Sequence, residues 1–301
     1  MRGLVIKSTG SSYIVRLDDG SNAECRIKGN FRIRGIRSTN PVAVGDFVET
    51  EDGWITDVYD RRNYIIRKST NLSKESHILA ANIDQVALIV TVNHPVTSTT
   101  FIDRFLATCE AYRVPAIIIF NKIDLLTDEE QAQLSELRAL YESIGYNTFA
   151  ICAKDLTGEA GLLRELQGRV TLLSGNSGVG KSTLLNALFG REMTRTGRIS
   201  DAHDKGMHTT TFSEMYFLPD GALIDTPGIK GFGTFDFQRE EVSHYFRDIF
   251  AVGRNCRFGN CTHTNEPGCA VQEALITGDI AISRYESYLS LLGDCEEGKY
   301  R

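Results

Sequence analysis

Residues 170–190 read VTLLSGNSGVGKSTLLNALFG, and this stretch decides the fold. Val170–Ser174 is a short apolar run of strand type. Gly175 to Ser182 fits the pattern GxxxxGK[ST], and STLLNALFG continues as a helix closed by Gly190. Strand, glycine-rich loop and helix in that order read as a phosphate loop. Its glycines let backbone N–H groups converge on phosphate oxygens, and the helix N-terminus adds a favourable dipole. The expected phosphate-binding residues are Gly175, Asn176, Ser177, Gly178, Val179, Gly180, Lys181, Ser182 and Thr183. Lys181 is expected to reach the β and γ phosphates, with a catalytic role, and Ser182 to ligate Mg²⁺.

Moving outward, strands alternate with helices on both sides. DQVALIVTV (84–92) and PAIIIF (115–120) are near-continuous apolar runs, the pattern of strands buried on both faces. Between and after them, residues 100–113 and 128–143 have helical spacing, the first with Phe101, Phe105, Leu106 and Cys109 on one side. NTFAIC and ALID are further strands. This alternation predicts a parallel sheet covered by helices.

Three strand ends carry further motifs. Asn121-Lys122-Ile123-Asp124 follows PAIIIF, and NKxD reads guanine: an ionised aspartate accepts two parallel hydrogen bonds from N1–H and N2–H₂, which adenine lacks. Cys152-Ala153-Lys154 stands where a GTPase has Ser-Ala-Lys, with the Ala153 N–H expected at the guanine O6. Asp225-Thr226-Pro227-Gly228 ends ALID roughly 45 residues past the phosphate loop, so Asp225 is expected as a second Mg²⁺ group, direct or through water, and the Gly228 N–H as a γ-phosphate donor. In the polar stretch 193–211, His208-Thr209-Thr210-Thr211 offers Thr210, with Thr209 as the alternative, as a third Mg²⁺ group. Here NKxD precedes the phosphate loop, so the motifs of a Ras-like GTPase occur in circularly permuted order.

The flanks differ in character. Residues 1–72 are read as an all-β barrel with about five short strands, including YIVRL, AECRIKG, NFRIRGI, VGDFVET and WITDVY. An oligonucleotide-binding (OB) barrel and an SH3-like barrel share that signature. Residues 73–236 are the nucleotide-binding domain. Residues 237–301 turn helical around Cys256-x4-Cys261-x-His263-x5-Cys269, a complete Cys₃His set for one structural Zn²⁺. Fold class is therefore multidomain: barrel, permuted α/β phosphate-loop domain, helical zinc-binding domain.

Charge is uneven. The net of −6 conceals 13 Lys/Arg against 10 Asp/Glu in residues 1–75, +3 there and −9 elsewhere. Between Cys25 and Val44 lie Arg26, Lys28, Arg32, Arg34 and Arg37 with no acid, and Phe31 among them. Arginines neutralise phosphates and an aromatic stacks on bases, so these six residues are the expected RNA contacts. No apolar run approaches the roughly 18 residues of a membrane span, and no secretory leader is visible. A soluble, cytoplasmic monomer is expected.

Taken together, the barrel, NKID, GNSGVGKS, HTTT, DTPG and the Cys-Cys-His-Cys cluster, in this order, resemble the circularly permuted GTPase family RsgA (YjeQ) over nearly the whole chain. The resemblance implies a GTPase that binds the small (30S) ribosomal subunit late in its assembly. It also implies hydrolysis stimulated by the subunit, and barrel and zinc domains that touch ribosomal RNA. The glutamine that orients water in Ras-like enzymes is replaced by Ile229, which predicts slow intrinsic turnover. His208 is the candidate for positioning water. Competing expectations are a GTP-gated RNA-binding module without catalysis, a phosphate-loop kinase or ATPase, which NKID opposes, and a GTPase serving transfer RNA or a membrane insertion machine.

Overall fold

The computed structural model describes residues 1–9, 12–27, 41–68, 76–158, 160–190, 213–225 and 237–297. The chain opens with β1 (Arg2–Ser8), β2 (Tyr13–Leu17), β3 (Asn22–Ile27), β4 (Phe47–Glu51) and β5 (Trp54–Val58). They pair in the order β1-β2-β3-β5-β4, and β4 returns to β1. This five-stranded closure is that of an OB-like barrel. Alternation fills it: Val5, Tyr13, Val15, Cys25, Val48 and Ile55 point inward and are buried. Of the barrel strands, β1 is absent from the sequence-based reading, and NFRIRGI lies outside the described residues.

A hairpin of β6 (Tyr64–Lys68) and β7 (Ser76–Ala81) leads to the central domain. There follow β8 (Gln85–Val90), α1 (Thr99–Ala111), β9 (Ala116–Asn121), α2 (Asp128–Ser143), β10 (Asn147–Cys152), the two-residue β11 (Thr157–Gly158) and α3 (Gly161–Leu166). The phosphate-loop stretch then gives β12 (Val170–Ser174) and α4 (Lys181–Phe189), before β13 (Glu214–Phe217) and β14 (Ala222–Asp225). Strands β10, β9, β8, β12 and β14 run parallel, with β11 and β13 antiparallel at the flanks.

The apolar strands bury both faces, as expected. Val86, Leu88, Ile118, Phe120, Leu172 and Ile224 pack under α1 and α2. Ala87, Ile89, Ile117, Ile119, Leu173 and Leu223 pack under α3 and α4. Helix ends are specified locally. Thr127 and Glu130 form a capping box at the start of α2, behind a first turn of three acids. Ser98 caps α1 by accepting from the Phe101 N–H.

The C-terminal part is helical: a 3₁₀ segment Arg239–Tyr245, then α5 (Arg247–Gly253), α6 (Ala270–Thr277) and α7 (Ile282–Glu297). Its core of Phe237, Val242, Phe246, Ile249, Val271, Tyr288, Leu291 and Leu292 packs against Ala107 of α1. Helix α1 is thus covered on two sides, which explains why Ile102, Asp103, Phe105, Leu106, Ala107, Thr108 and Cys109 are all buried. Among the described residues no helix is long and apolar enough to cross a membrane.

Candidate nucleotide site and metal centre

The motif-bearing residues collect at the carboxyl ends of the parallel strands, where open α/β sheets bind ligands. The permutation is no obstacle, because adjacency in the sheet, and not chain order, brings them together: β9 lies beside β8, β8 beside β12, and β12 beside β14.

Asn121 is the hub. Its side chain is buried, its Nδ2 donates to the Val179 carbonyl at 2.7 Å, and its Oδ1 accepts from the Ala153 N–H at 2.9 Å. One side chain therefore ties the NKID turn to the phosphate loop and to the Cys-Ala-Lys turn. The Ala153 N–H, expected to face guanine O6, is engaged by Asn121 in this structure. Gly180 (φ 99°) makes the approach possible, since a β-carbon there would lie 2.2 Å from Asn121 Nδ2. Gly175 (φ 142°) has the same kind of necessity against the strand next door, where a β-carbon would meet the Ile89 carbonyl oxygen at 2.2 Å.

Two lysines brace the loop. Lys122, in a left-handed conformation (φ 66°), donates from Nζ to the Gly178 carbonyl at 2.6 Å and also to the His94 carbonyl. Lys181 Nζ donates to the carbonyls of Gly175 and Asn176 at 2.7 and 2.8 Å. Burial pushes the Lys181 ammonium below the usual lysine range, while the Asp225 charge pulls it back up. Neighbouring Ser182 is half-buried at the head of α4, beside Thr183. Asp225 is buried at the end of β14, in register with Leu173 one residue before the end of β12.

Asp124 is exposed in the turn after β9. Its carboxylate is 2.9 Å from Lys154 Nζ, and that bond holds it below the usual aspartate range. Cys152 is buried behind it, and burial pushes its thiol up. A cleft of about 530 Å³ opens here, lined by Lys154, Asp155, Leu156, Thr183, Asn186 and Gly190. His208, Thr210 and Gly228 lie outside the described residues, as do Lys28, Phe31, Arg32, Arg34 and Arg37. Arg26 is exposed on β3, in register with Trp54. The His94 carbonyl was not foreseen as a brace; a backbone acceptor in a loop leaves no mark on residue type.

The second centre is the cysteine cluster. The ligand atoms of Cys256, Cys261, His263 and Cys269 all lie within 4.8 Å of one another. His263 Nδ1 is 3.5 Å from both Cys256 Sγ and Cys269 Sγ, and those two sulfurs are 3.9 Å apart. Zn–S bonds of about 2.3 Å give tetrahedral edges of about 3.8 Å, so the donor set fits a tetrahedral ion. The loop is held from outside. Tyr285 Oη and Gln272 Nε2 donate to the His263 carbonyl, and Tyr288 Oη to that of Thr262. Glu266 accepts from the N–H groups of Thr262 and Thr264 and from the Thr262 hydroxyl. Its burial raises the carboxyl pKa, but these bonds outweigh that and hold it at about 2. Gly253 leaves room for the imidazole, whose Cε1 would meet a β-carbon at 2.9 Å.

This is a circularly permuted phosphate-loop GTPase fold between an OB-like barrel and a helical module with a Cys₃His cluster. The chain matches the model of the RsgA GTPase over residues 58–235 and that of the RsgA N-terminal domain over residues 2–55. It belongs to the RsgA GTPase family. It is 59% identical to small ribosomal subunit biogenesis GTPase RsgA 2 of Bacteroides thetaiotaomicron, over all of this chain and 99% of that one. Small ribosomal subunit biogenesis GTPase RsgA of Bacteroides fragilis is 61% identical with the same coverage. Among solved structures, YjeQ from Thermotoga maritima superposes with a TM-score of 0.75 at 32% identity, covering 98% of each chain. YloQ, described as a circularly permuted GTPase, superposes with a TM-score of 0.73 at 28% identity, covering 100% of this chain and 96% of that one.

Proposed function

We propose that this GTPase binds the small (30S) ribosomal subunit as a cytoplasmic monomer and acts late in its assembly, hydrolysing GTP with stimulation by the subunit. The observation that carries the reading is the Asn121 hub, which joins guanine loop, phosphate loop and Cys-Ala-Lys turn into one pocket. The names of the relatives from Bacteroides support the choice of partner.

In this reading Asp124 exchanges Lys154 for the guanine N1–H and N2–H₂, and the N–H groups of residues 175–183 receive the phosphates. Lys181 swings from its two carbonyl partners to the β and γ phosphates. Ser182, Asp225 and Thr210 would hold Mg²⁺, which neutralises charge on the phosphate oxygens when bound. Gly228 would donate to the γ-phosphate, and His208 would position water in place of the glutamine that Ile229 replaces. Cys256, Cys261, His263 and Cys269 would hold one Zn²⁺ as a purely structural ion, since four protein donors leave no open coordination position. Arg26, Lys28, Phe31, Arg32, Arg34 and Arg37 would meet ribosomal RNA. Domain limits of 1–72, 73–236 and 237–301 belong to the same proposal.

The test is GTP hydrolysis by the purified chain alone, with small subunits and with large subunits. Slow turnover accelerated by small subunits alone is expected. Turnover indifferent to both subunits would overturn the partner while leaving the nucleotide site intact.

A further inference from the structure

The turn between β8 and α1 carries no nucleotide motif, yet it reaches the pocket. The His94 carbonyl accepts from Lys122 Nζ, which also donates to the Gly178 carbonyl of the phosphate loop at 2.6 Å. A β-carbon on Gly178 would lie 3.6 Å from Pro95 Cδ, so turn and phosphate loop are neighbours. In the reading above, a bound nucleotide takes over the partners of Lys154 and Lys181. Lys122 has no such exchange to make. It remains the tie between the NKID turn, the phosphate loop and the turn after β8.

His94 presents its carbonyl at a conformational cost, because its φ of 59° lies in the left-handed region that a β-carbon disfavours. Local bonds close the turn around it. The Thr97 N–H donates to the Thr91 carbonyl at 3.0 Å, and the Thr91 hydroxyl donates to the Pro95 carbonyl. Asn93 holds the His94 peptide itself. Its Oδ1 accepts from the His94 N–H at 2.8 Å, and its Nδ2 donates to Glu130 Oε1. Glu130 is the capping-box residue of α2, and its other oxygen accepts from the Thr127 N–H at 2.9 Å. A capping box needs only one carboxylate oxygen. The second one here reaches back 37 positions to another loop. The Thr127 and Asn93 bonds hold the Glu130 carboxyl below the usual glutamate range, so it is an ionised acceptor at neutral pH.

We propose that Asn93 and Glu130 are positioning residues for Lys122: they fix the His94 carbonyl, and through it the lysine that ties the guanine loop to the phosphate loop. The proposal rests on the reading of Lys122 as part of the guanine-nucleotide pocket. A lysine placed in advance spares the nucleotide the cost of ordering a long side chain on binding. Loss of that preorganisation shows mainly as faster release.

The test is the rate at which the full chain releases N-methylanthraniloyl-GDP. Asn93→Asp keeps the acceptor for the His94 N–H but sets a carboxylate against Glu130. Release should quicken about threefold to tenfold, the equivalent of ordering one such side chain. Adding Glu130→Gln returns an amide donor to the pair from the other side and leaves an oxygen for Thr127. The double variant should therefore fall back to within about twofold of the native rate. Thermal melts of the nucleotide-free variants read stability separately. Native release by Asn93→Asp overturns the proposal. So does a double variant that releases as fast as Asn93→Asp, or a faster release that only follows a general loss of melting temperature. Failure of the native chain to bind the nucleotide overturns the reading of the pocket as well.

Discussion

The central domain holds its two neighbours by opposite means. Against the C-terminal helices it uses a buried charge cluster on α1. Arg284 of α7 is 1% exposed; it donates from Nε and Nη2 to Asp248 at 3.0 and 2.8 Å, and from Nη1 to Asp103 of α1 at 2.7 Å. Tyr141 of α2 donates to the same Asp103 oxygen, and the guanidinium lies 4.9 Å from the Phe246 ring centre. Against the barrel it uses apolar packing and bonds to backbone carbonyls. Leu4, Ile6 and Val44 pack into its core, and the Ala81 N–H donates to the Val44 carbonyl and Asn82 Nδ2 to that of Gly45, both at 2.9 Å, while the Lys7–Glu214 pair stays 35% and 33% exposed. A charge pair in low dielectric tolerates neither loss of a partner nor displacement, whereas a screened pair at the surface exchanges with water at little cost. The helical module is thus held through buried charge, and the barrel through apolar packing with its charges left at the surface.

The largest effect should come from the Cys₃His cluster, where a zinc ion would stabilise the helical side from within. Structural zinc contributes about 10–16 kcal/mol of apparent folding free energy in small modules. Chelation, or Cys261→Ser, should release one equivalent of zinc and melt the C-terminal helices while the barrel and central sheet persist. Metal release assayed with a chromogenic chelator, alongside far-ultraviolet circular dichroism, checks this. Loss of no helical signal would mean that the packing around Phe246 and Tyr288 suffices without the ion.

Next comes the buried cluster. Arg284→Met removes the cation and strands Asp103 and Asp248; breaking a buried pair in this way costs about 3–5 kcal/mol. Burial already pushes the Asp103 carboxyl up, and the loss of Arg284 leaves that push unopposed by its charge. The sharper experiment combines Arg284→Met with Asp103→Leu and Asp248→Leu. Recovery of most of the lost stability in thermal melts would show that the triad serves orientation more than stability. A smaller loss of about 1–2 kcal/mol is expected for Arg247→Ala. Arg247 bonds Glu110 at 2.7 Å and the Gly145 carbonyl at 2.9 Å and covers the Tyr146 ring, but remains about one-third exposed.

The same contrast separates what the sequence shows from what it hides. The guanine and phosphate loops are written in runs of four to eight neighbours, because their chemistry needs backbone turns at fixed offsets. The helices 99–111 and 128–143 are legible from their period, and the second from its capping box as well. Asp103 and Arg284 stand 181 positions apart, and each reads as an ordinary polar residue of a helix. The joint with the barrel is less legible still. RGLVIKS lacks the apolar/polar alternation of a half-buried strand, because Leu4 and Ile6 pack against the core of the central domain while Val5 fills the barrel. A strand shared by two cores carries the signature of neither.

The smallest effect on stability, and the one that separates the two joints most sharply, belongs to Lys7→Met. An exposed pair contributes about 0–1 kcal/mol, so the melting curve should barely move. Measured side by side, Arg247→Ala should lower the melting temperature by more than Lys7→Met does, because Arg247 also bonds the Gly145 carbonyl and covers the Tyr146 ring. An equal loss for the two would mean that the surface pair holds the barrel as strongly as Arg247 holds its partners, and that apolar packing contributes less to the barrel joint than the burial of Leu4, Ile6 and Val44 implies.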